Sequence, residues 1–183
     1  YGAVDSARTL TLTGTNTDSN TFSPVIANNG AGVVALTKSG AGTWVLTGAN
    51  SYTGATSIGV ANGTDAGILR LSGAGKISAA ATTVNSGSLD VGGTNQTITT
   101  LGLGAGASGT SANVLIGSGG VLNLGGTLTY TATNNSNGAT ISGAGTLNLN
   151  SARAFAVGDS TAASQDLTIN SIIADGSAAS SIN

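Results

Sequence analysis

The sequence predicts an all-β fold wound as a solenoid, and three observations predict it. Short runs with apolar residues two apart recur along the chain. Gly, Asn and Ser close these runs, and one closing tetrapeptide occurs three times. No stretch sustains an apolar period near that of a helix.

The clearest runs are Leu10-Thr11-Leu12, Trp44-Val45-Leu46, Ile68-Leu69-Arg70-Leu71, Ser88-Leu89-Asp90-Val91, Val121-Leu122-Asn123-Leu124, Thr146-Leu147-Asn148-Leu149 and Asp166-Leu167-Thr168-Ile169. Residues two apart share one face of a strand, so Leu, Val and Ile face in while Thr, Asn, Asp or Arg face out. Val114-Leu115-Ile116 is continuous and predicts burial on both faces. The runs recur roughly every ten to thirteen residues, a spacing that sandwiches, barrels and solenoids share.

Repetition separates these architectures. Ser39-Gly40-Ala41-Gly42 returns as Ser72-Gly73-Ala74-Gly75 and as Ser142-Gly143-Ala144-Gly145, with starts 33 and then 70 residues apart. Val25-Ile26-Ala27-Asn28-Asn29-Gly30 is echoed by Ile172-Ile173-Ala174-Asp175-Gly176. A solenoid needs such repeats because each coil makes the same corner on top of the last. Gly supplies positive φ at those corners, and outward Asn can ladder from coil to coil. With coils of about twenty residues stacked about 4.8 Å apart, the chain makes about nine coils in a rod of about 40 Å.

Composition agrees. Charged residues are 7% of the chain, against about a quarter in ordinary domains. With a net charge of −2 there is no basic footprint for nucleic acid. A mean hydropathy of +0.25 argues against disorder. There is no Cys, His, Met or Glu, so no disulfide and no Cys/His zinc site can form. The 30 Gly, with abundant Thr, Asn, Ser and Ala, make a polar but nearly neutral surface.

The chain reads as one β-solenoid domain over residues 1–183, with loop excursions at 102–112 and 131–138. No apolar run reaches the length of a membrane helix. Tyr1 to Thr9 lacks the basic and apolar regions of a signal peptide. The expectation is a mature product or a segment of something longer.

Residues 36–71 resemble a known family. Leu36-Thr37-Lys38-Ser39-Gly40-Ala41-Gly42-Thr43-Trp44-Val45-Leu46-Thr47-Gly48-Ala49-Asn50-Ser51-Tyr52-Thr53-Gly54-Ala55-Thr56-Ser57-Ile58 is similar to the autotransporter-associated β-strand repeat of passenger domains. Gly67-Ile68-Leu69-Arg70-Leu71 fits its continuation after an insertion at 59–66. Weaker echoes lie at Leu10-Thr11-Leu12-Thr13-Gly14-Thr15-Asn16 and at Gly87-Ser88-Leu89-Asp90-Val91-Gly92-Gly93-Thr94-Asn95-Gln96-Thr97-Ile98. The resemblance implies a right-handed parallel β-helix, secreted across a bacterial envelope and displayed outside the cell. A complete autotransporter also has a C-terminal β-barrel, which is not in this sequence. An echo of Val33-Val34-Ala35-Leu36 at Ile182-Asn183 suggests that another repeat begins there.

Catalytic readings find little purchase. Gly158-Asp159-Ser160 resembles the start of a lipase motif, but without His no Ser–His–Asp triad can be completed; it reads as a turn. The seven Asp (Asp5, Asp18, Asp65, Asp90, Asp159, Asp166, Asp175) are well separated, and a carbohydrate-cleaving site would need two of them paired between coils. Gly92-Gly93-Thr94-Asn95 and Gly119-Gly120-Val121-Leu122 lack the Asp of calcium-binding solenoid repeats. The Gly-rich loops lack the Lys and following helix of a phosphate site. Trp44, Tyr52 and Tyr130 are candidate sugar platforms, with core packing as the plainer reading. Thr9/Thr11/Thr13, Thr97/Thr99 and Thr127/Thr129/Thr131/Thr133 resemble ice-binding ladders, although Thr also simply suits outward strand positions. Asn62-Gly63-Thr64, Asn95-Gln96-Thr97 and Asn134-Asn135-Ser136 match the glycosylation sequon, a match that an Asn/Thr-rich chain makes easily.

The reading is a structural, extracellular module of the bacterial cell surface, not an enzyme, that builds a fibre, sheath or passenger stalk and contributes to adhesion. No catalytic, cofactor or metal residue is assigned. Its expected partners are its own kind, end to end, or further repeats, and a surface polysaccharide. A polysaccharide-binding or polysaccharide-cleaving β-helix is the alternative, and an ice-binding solenoid a lesser one.

Overall fold

The computed structural model describes residues 4–65, 67–134, 137–161 and 163–176. Every regular element among them is a strand, and every strand pairing is parallel. Three sheets form the walls. The first holds β1 (Arg8–Leu12), β3 (Val34–Lys38), β5 (Thr56–Ile58), β7 (Thr82–Val84), β10 (Leu101–Gly104), β13 (Leu128–Thr131) and β16 (Phe155–Val157). The second holds β2 (Ser19–Phe22), β4 (Thr43–Leu46), β6 (Ile68–Leu71), β8 (Gly87–Gly92), β11 (Ala112–Ile116), β14 (Ala139–Ser142) and β17 (Leu167–Ile169). The third holds only β9 (Asn95–Ile98), β12 (Val121–Leu124), β15 (Thr146–Asn148) and β18 (Ile172–Ala174). Each coil visits the walls in that order, which makes a β-solenoid of seven layers and six turns.

The turns are longer and fewer than expected. Thr82 pairs with Leu101, 19 residues on, while Ala139 pairs with Leu167, 28 residues on. The variation comes from the corner between the first and second walls, which takes two residues in coil 4 (Asn85-Ser86) and nine in coil 7 (residues 158–166). Six steps of about 4.8 Å give a stack about 29 Å long, not nine coils and 40 Å.

Side-chain alternation fills the interior with ladders. One runs Leu10, Leu36, Thr56, Thr82, Leu101, Leu128, Phe155. The next inward rank is Leu12, Lys38, Ile58, Val84, Leu103, Tyr130, Val157. Opposite them stand Trp44, Leu69, Leu89, Val114, Ile141 and Ile169. The ladders are buried through the middle coils and open at the ends, where Val4, Val25, Ile172 and Ile173 are half or more exposed.

Three expectations are corrected. Leu115 points outward and is 41% exposed, so Val114-Leu115-Ile116 is buried on one face only. Residues 102–112 are not one loop: Gly102 to Gly104 close β10, Ala112 opens β11, and the excursion is 105–111. The Ser-Gly-Ala-Gly copies do not share one corner. Ser39 turns from the first wall to the second, whereas Ser72 and Ser142 turn from the second to the third, three coils apart. The spacing of 33 is therefore a coil plus a wall. The Val25/Ile172 echo does fall on a single wall, the third, in coils 1 and 7.

Candidate functional site

The polar groups inside a solenoid must find partners or lose stability, and the buried amides of Asn50 and Gln96 find theirs in other coils. On the third wall of coils 1–3 no strand forms, and side-chain amides do the bridging. Asn50 Oδ1 accepts from Ile26 N at 2.8 Å, and its Nδ2 donates to Lys76 O at 2.8 Å. Asn50 thus ties coil 2 to the coils on either side. Ile26, Tyr52 and Ile77 fill the wall behind it, all buried. Gly48 and Gly54 allow this wall to sit close: a Cβ on them would lie 2.5 Å from Pro24 O and 2.4 Å from Val34 O.

Gln96 marks the change from two sheets to three. It occupies an inward position in register with Leu122, Leu147 and Ile173, and is 2% exposed. Its Oε1 accepts from Ile77 N at 3.1 Å, and its Nε2 donates to Gly75 O at 3.1 Å and to Thr94 Oγ1 at 2.9 Å. Beyond it the third wall carries an outward Asn ladder. Asn123 Nδ2 donates to Asn95 Oδ1, and Asn148 Nδ2 donates to Asn123 Oδ1, each at 2.7 Å.

Two inward residues send polar tips into the first corner. Lys38 is 1% exposed, and its Nζ donates to the carbonyls of Ser39 and Gly40, both at 2.7 Å. Burial pulls its ammonium below the usual lysine range, and the nearby Asp65 carboxylate offsets this in part. Tyr130, four coils on in the same ladder, meets Gly138, Ser160 and the charge of Asp166. Burial and that charge push its phenol up. Tyr52 is raised by burial too, although its hydroxyl bonds Thr56 Oγ1 at 2.7 Å.

The carboxylates brace turns. Asp5 accepts from Ala31 N, Asp65 from Gly40 N and Val60 N, Asp90 from Arg70 and Gly92 N, and Asp166 from Ser160 N. Among the described residues no three carboxylates gather. Gly158-Asp159-Ser160 lies in the corner after β16, with Ser160 buried and its amide on Asp166. Of the proposed sugar platforms, Tyr52 and Tyr130 are buried and Trp44 is partly buried against the core, its Nε1 donating to Thr13 O at 2.9 Å. The first wall's outward rank runs Thr11, Thr37, Ser57, Thr83, Gly102, Thr129, Ala156, while Thr9 stands beside Ala35. Of the candidate ladder residues only Thr11 and Thr129 stand in this rank, and Thr97 lies on the third wall, so no regular double Thr rank forms. Asn135 and Ser136, and the echo at Ile182-Asn183, lie outside the described residues.

Sequence reasoning missed Gln96 and the burial of Lys38. Parity alone signals both, since Lys38 shares the face of Leu36 and Gln96 that of Ile98.

A parallel solenoid with Gly-tight corners and amide-bridged coils is a repeat architecture. Comparison with known proteins adds a likeness: residues 36–61 and 64–91 each match the family model of the passenger-associated-transport-repeat. A stretch of 44 residues, 24% of the chain, is 50% identical to the Adhesin BmaC autotransporter of Brucella suis biovar 1 (strain 1330). The chain spans about one hundredth of that relative, the matched stretch being 1% of its length. No solved structure matches the chain. The repeat residues have visible tasks: Lys38 fills a corner, Asn50 bridges three coils, and Tyr52 closes the third wall.

Proposed function

We propose that this chain is a length of autotransporter passenger, displayed outside a bacterial cell, that acts as a rigid stalk and contributes to adhesion. The observation that carries the reading is the double match to the passenger repeat on a solenoid whose buried amides, Asn50 and Gln96, are spent on bonds between coils. The similarity to an adhesin supports the adhesive part. Charge supports the stalk: five Lys and Arg and seven Asp are spread over the chain, Lys38 is buried and Arg70 is paired. Such a surface repels little and attracts little.

The open end coils take another β-coil in this reading, from further repeats or from a second copy stacked end to end. Their apolar residues Val25, Ile172 and Ile173 are too exposed for a finished surface in water, and unpaired strand edges template further pairing. Electron microscopy of the native material tests it. Unbranched rods on the cell surface, or fibres with a repeat of a few tens of ångströms, are the expected result. A chain found inside the cell and monomeric at high concentration would overturn the reading.

A further inference from the structure

We infer that the first-corner loops of coils 3, 5 and 6 form a strap across coil 4 that locks these four coils into one cooperative block. In a plain solenoid each coil touches only its neighbours, and stability is a sum of nearest-neighbour terms. Here coil 4 turns its first corner in two residues, Asn85 and Ser86, both buried although they lie at an edge of the stack. Loops from other coils cover them. Asn62 N of coil 3 donates to Ala105 O of coil 5 at 2.8 Å, and Ala107 N of coil 5 donates back to Gly63 O at 2.8 Å. Asn134 of coil 6 reaches the same point, its Nδ2 donating to Asn62 Oδ1. Gly59 lies directly on Ser86, where a Cβ would sit 2.3 Å from the Ser86 Oγ. Asp65 roots the strap by accepting from Val60 N at 3.2 Å and from Gly40 N of coil 2 at 2.8 Å.

Backbone strain collects at this contact. Five non-Gly residues among those described have positive φ, and three of them, Asn62 at 59°, Ala105 at 69° and Asn134 at 60°, come from three coils to meet here. Asn tolerates the left-handed region; Ala has no polar side chain to compensate. Such conformations persist where the surroundings over-determine them. The Ser86 hydroxyl beneath is buried without a partner. The local sacrifices are matched by contacts that skip a coil, which nearest-neighbour stacking does not supply.

The strap deepens the reading of the chain as a stalk, since a stalk under tension would otherwise peel coil by coil. Its test reads opening rather than display, so either can fail alone. Native-state hydrogen exchange of the intact chain is compared with a variant whose residues 59–66 are replaced by the Asn-Ser pair that turns the same corner in coil 4. In the unaltered chain, the slowest amides of β5, β8, β11 and β14 should open together with one denaturant dependence. In the variant, coil 3 should open apart from coils 5 and 6. The Asn85 amide, bonded to Ile58 O, should exchange roughly tenfold faster once its cover is lost. If the variant does not fold, Ala105→Gly decides: it keeps every bond and relieves the strain, so it should slow opening in all four coils. Opening of β5 independent of β11 and β14 in the unaltered chain, or an Ala105→Gly effect confined to coil 5, overturns the inference.

Discussion

Coils 1–3 and coils 4–7 close the same third wall with different chemistry. In coils 4–7 the wall is a sheet, and backbone pairs such as Leu122 with Leu147 satisfy one another. In coils 1–3 the wall is irregular, and the amide of Asn50 takes over the role of a backbone ladder. Both arrangements meet the rule that buried backbone groups must be bonded. They differ in where the information lies. A ladder tolerates any side chain of suitable size, whereas an amide bridge depends on one residue. The family repeat falls on the second arrangement: residues 36–61 lie in coils 2 and 3, where Asn50 and Tyr52 are required individually.

The difference can be broken at its junction. Gln96→Leu swaps the amide for the apolar residue that coil 5 carries at this position. It leaves Ile77 N and Gly75 O buried and unbonded by it, and should destabilise the chain by about 2–4 kcal/mol. The expected readout is a lower urea midpoint with an unchanged slope. A Gln96→Leu variant as stable as the parent would mean that the two halves do not differ as described. Asn50→Ala should cost about 1–3 kcal/mol for the same reason, two coils away in the irregular half. By contrast, Asn123→Ala removes a half-exposed ladder member from a wall that already has backbone pairing. It should cost about 1 kcal/mol or less.

Alkali should sharpen the comparison from inside the core. The phenols of Tyr52 and Tyr130 are held above their ordinary value of 10.0 in the fold, burial being the first cause in each. Unfolding returns them to 10.0. The folded state therefore keeps protons that the unfolded state has lost, and stability is complete below pH 10 and falls as pH rises past it. Lys38 works in the other direction. Its folded value lies below 10.5, so rising pH removes the penalty of its buried charge and adds stability up to that value. Thermal midpoints measured through this range should fall for the parent and hold for Tyr52→Phe/Tyr130→Phe. Equal curves for both would show that the phenols do not control the alkaline limb.

The strand pattern was legible because alternation is a local property. Ile68-Leu69-Arg70-Leu71 and Ser88-Leu89-Asp90-Val91 place their faces correctly from parity alone, and repetition separates a solenoid from a sandwich. The coil length was not legible. Loop closure costs little more for a longer loop, so corners vary from Asn85-Ser86 to residues 158–166 without disturbing the walls. That variation is what hides the period, and it is why identical tetrapeptides at Ser39 and Ser72 turn different corners. The strap was out of reach as well, because Asn62 and Asn134 lie 72 residues apart and meet only through the stacking of coils between them.

The one ion pair among the described residues should contribute least. Arg70 Nε lies 2.7 Å from Asp90 Oδ2, between neighbouring strands of the second wall, with the arginine side chain 42% exposed and the aspartate 11%. Exposure on the arginine side lets water screen the charge, so Arg70→Gln should change stability by about 0.5 kcal/mol or less. Asp90 has a second task, accepting from Gly92 N at 2.9 Å where β8 ends at a left-handed Gly. Asp90→Ala should therefore cost more than Arg70→Gln, by about 1 kcal/mol. High salt should erase the small Arg70 effect and leave most of the Asp90 effect. Equal costs for the two variants would show that the carboxylate serves the ion pair alone, and the turn-bracing role assigned to the Asp residues of this solenoid would fail at its best-packed example.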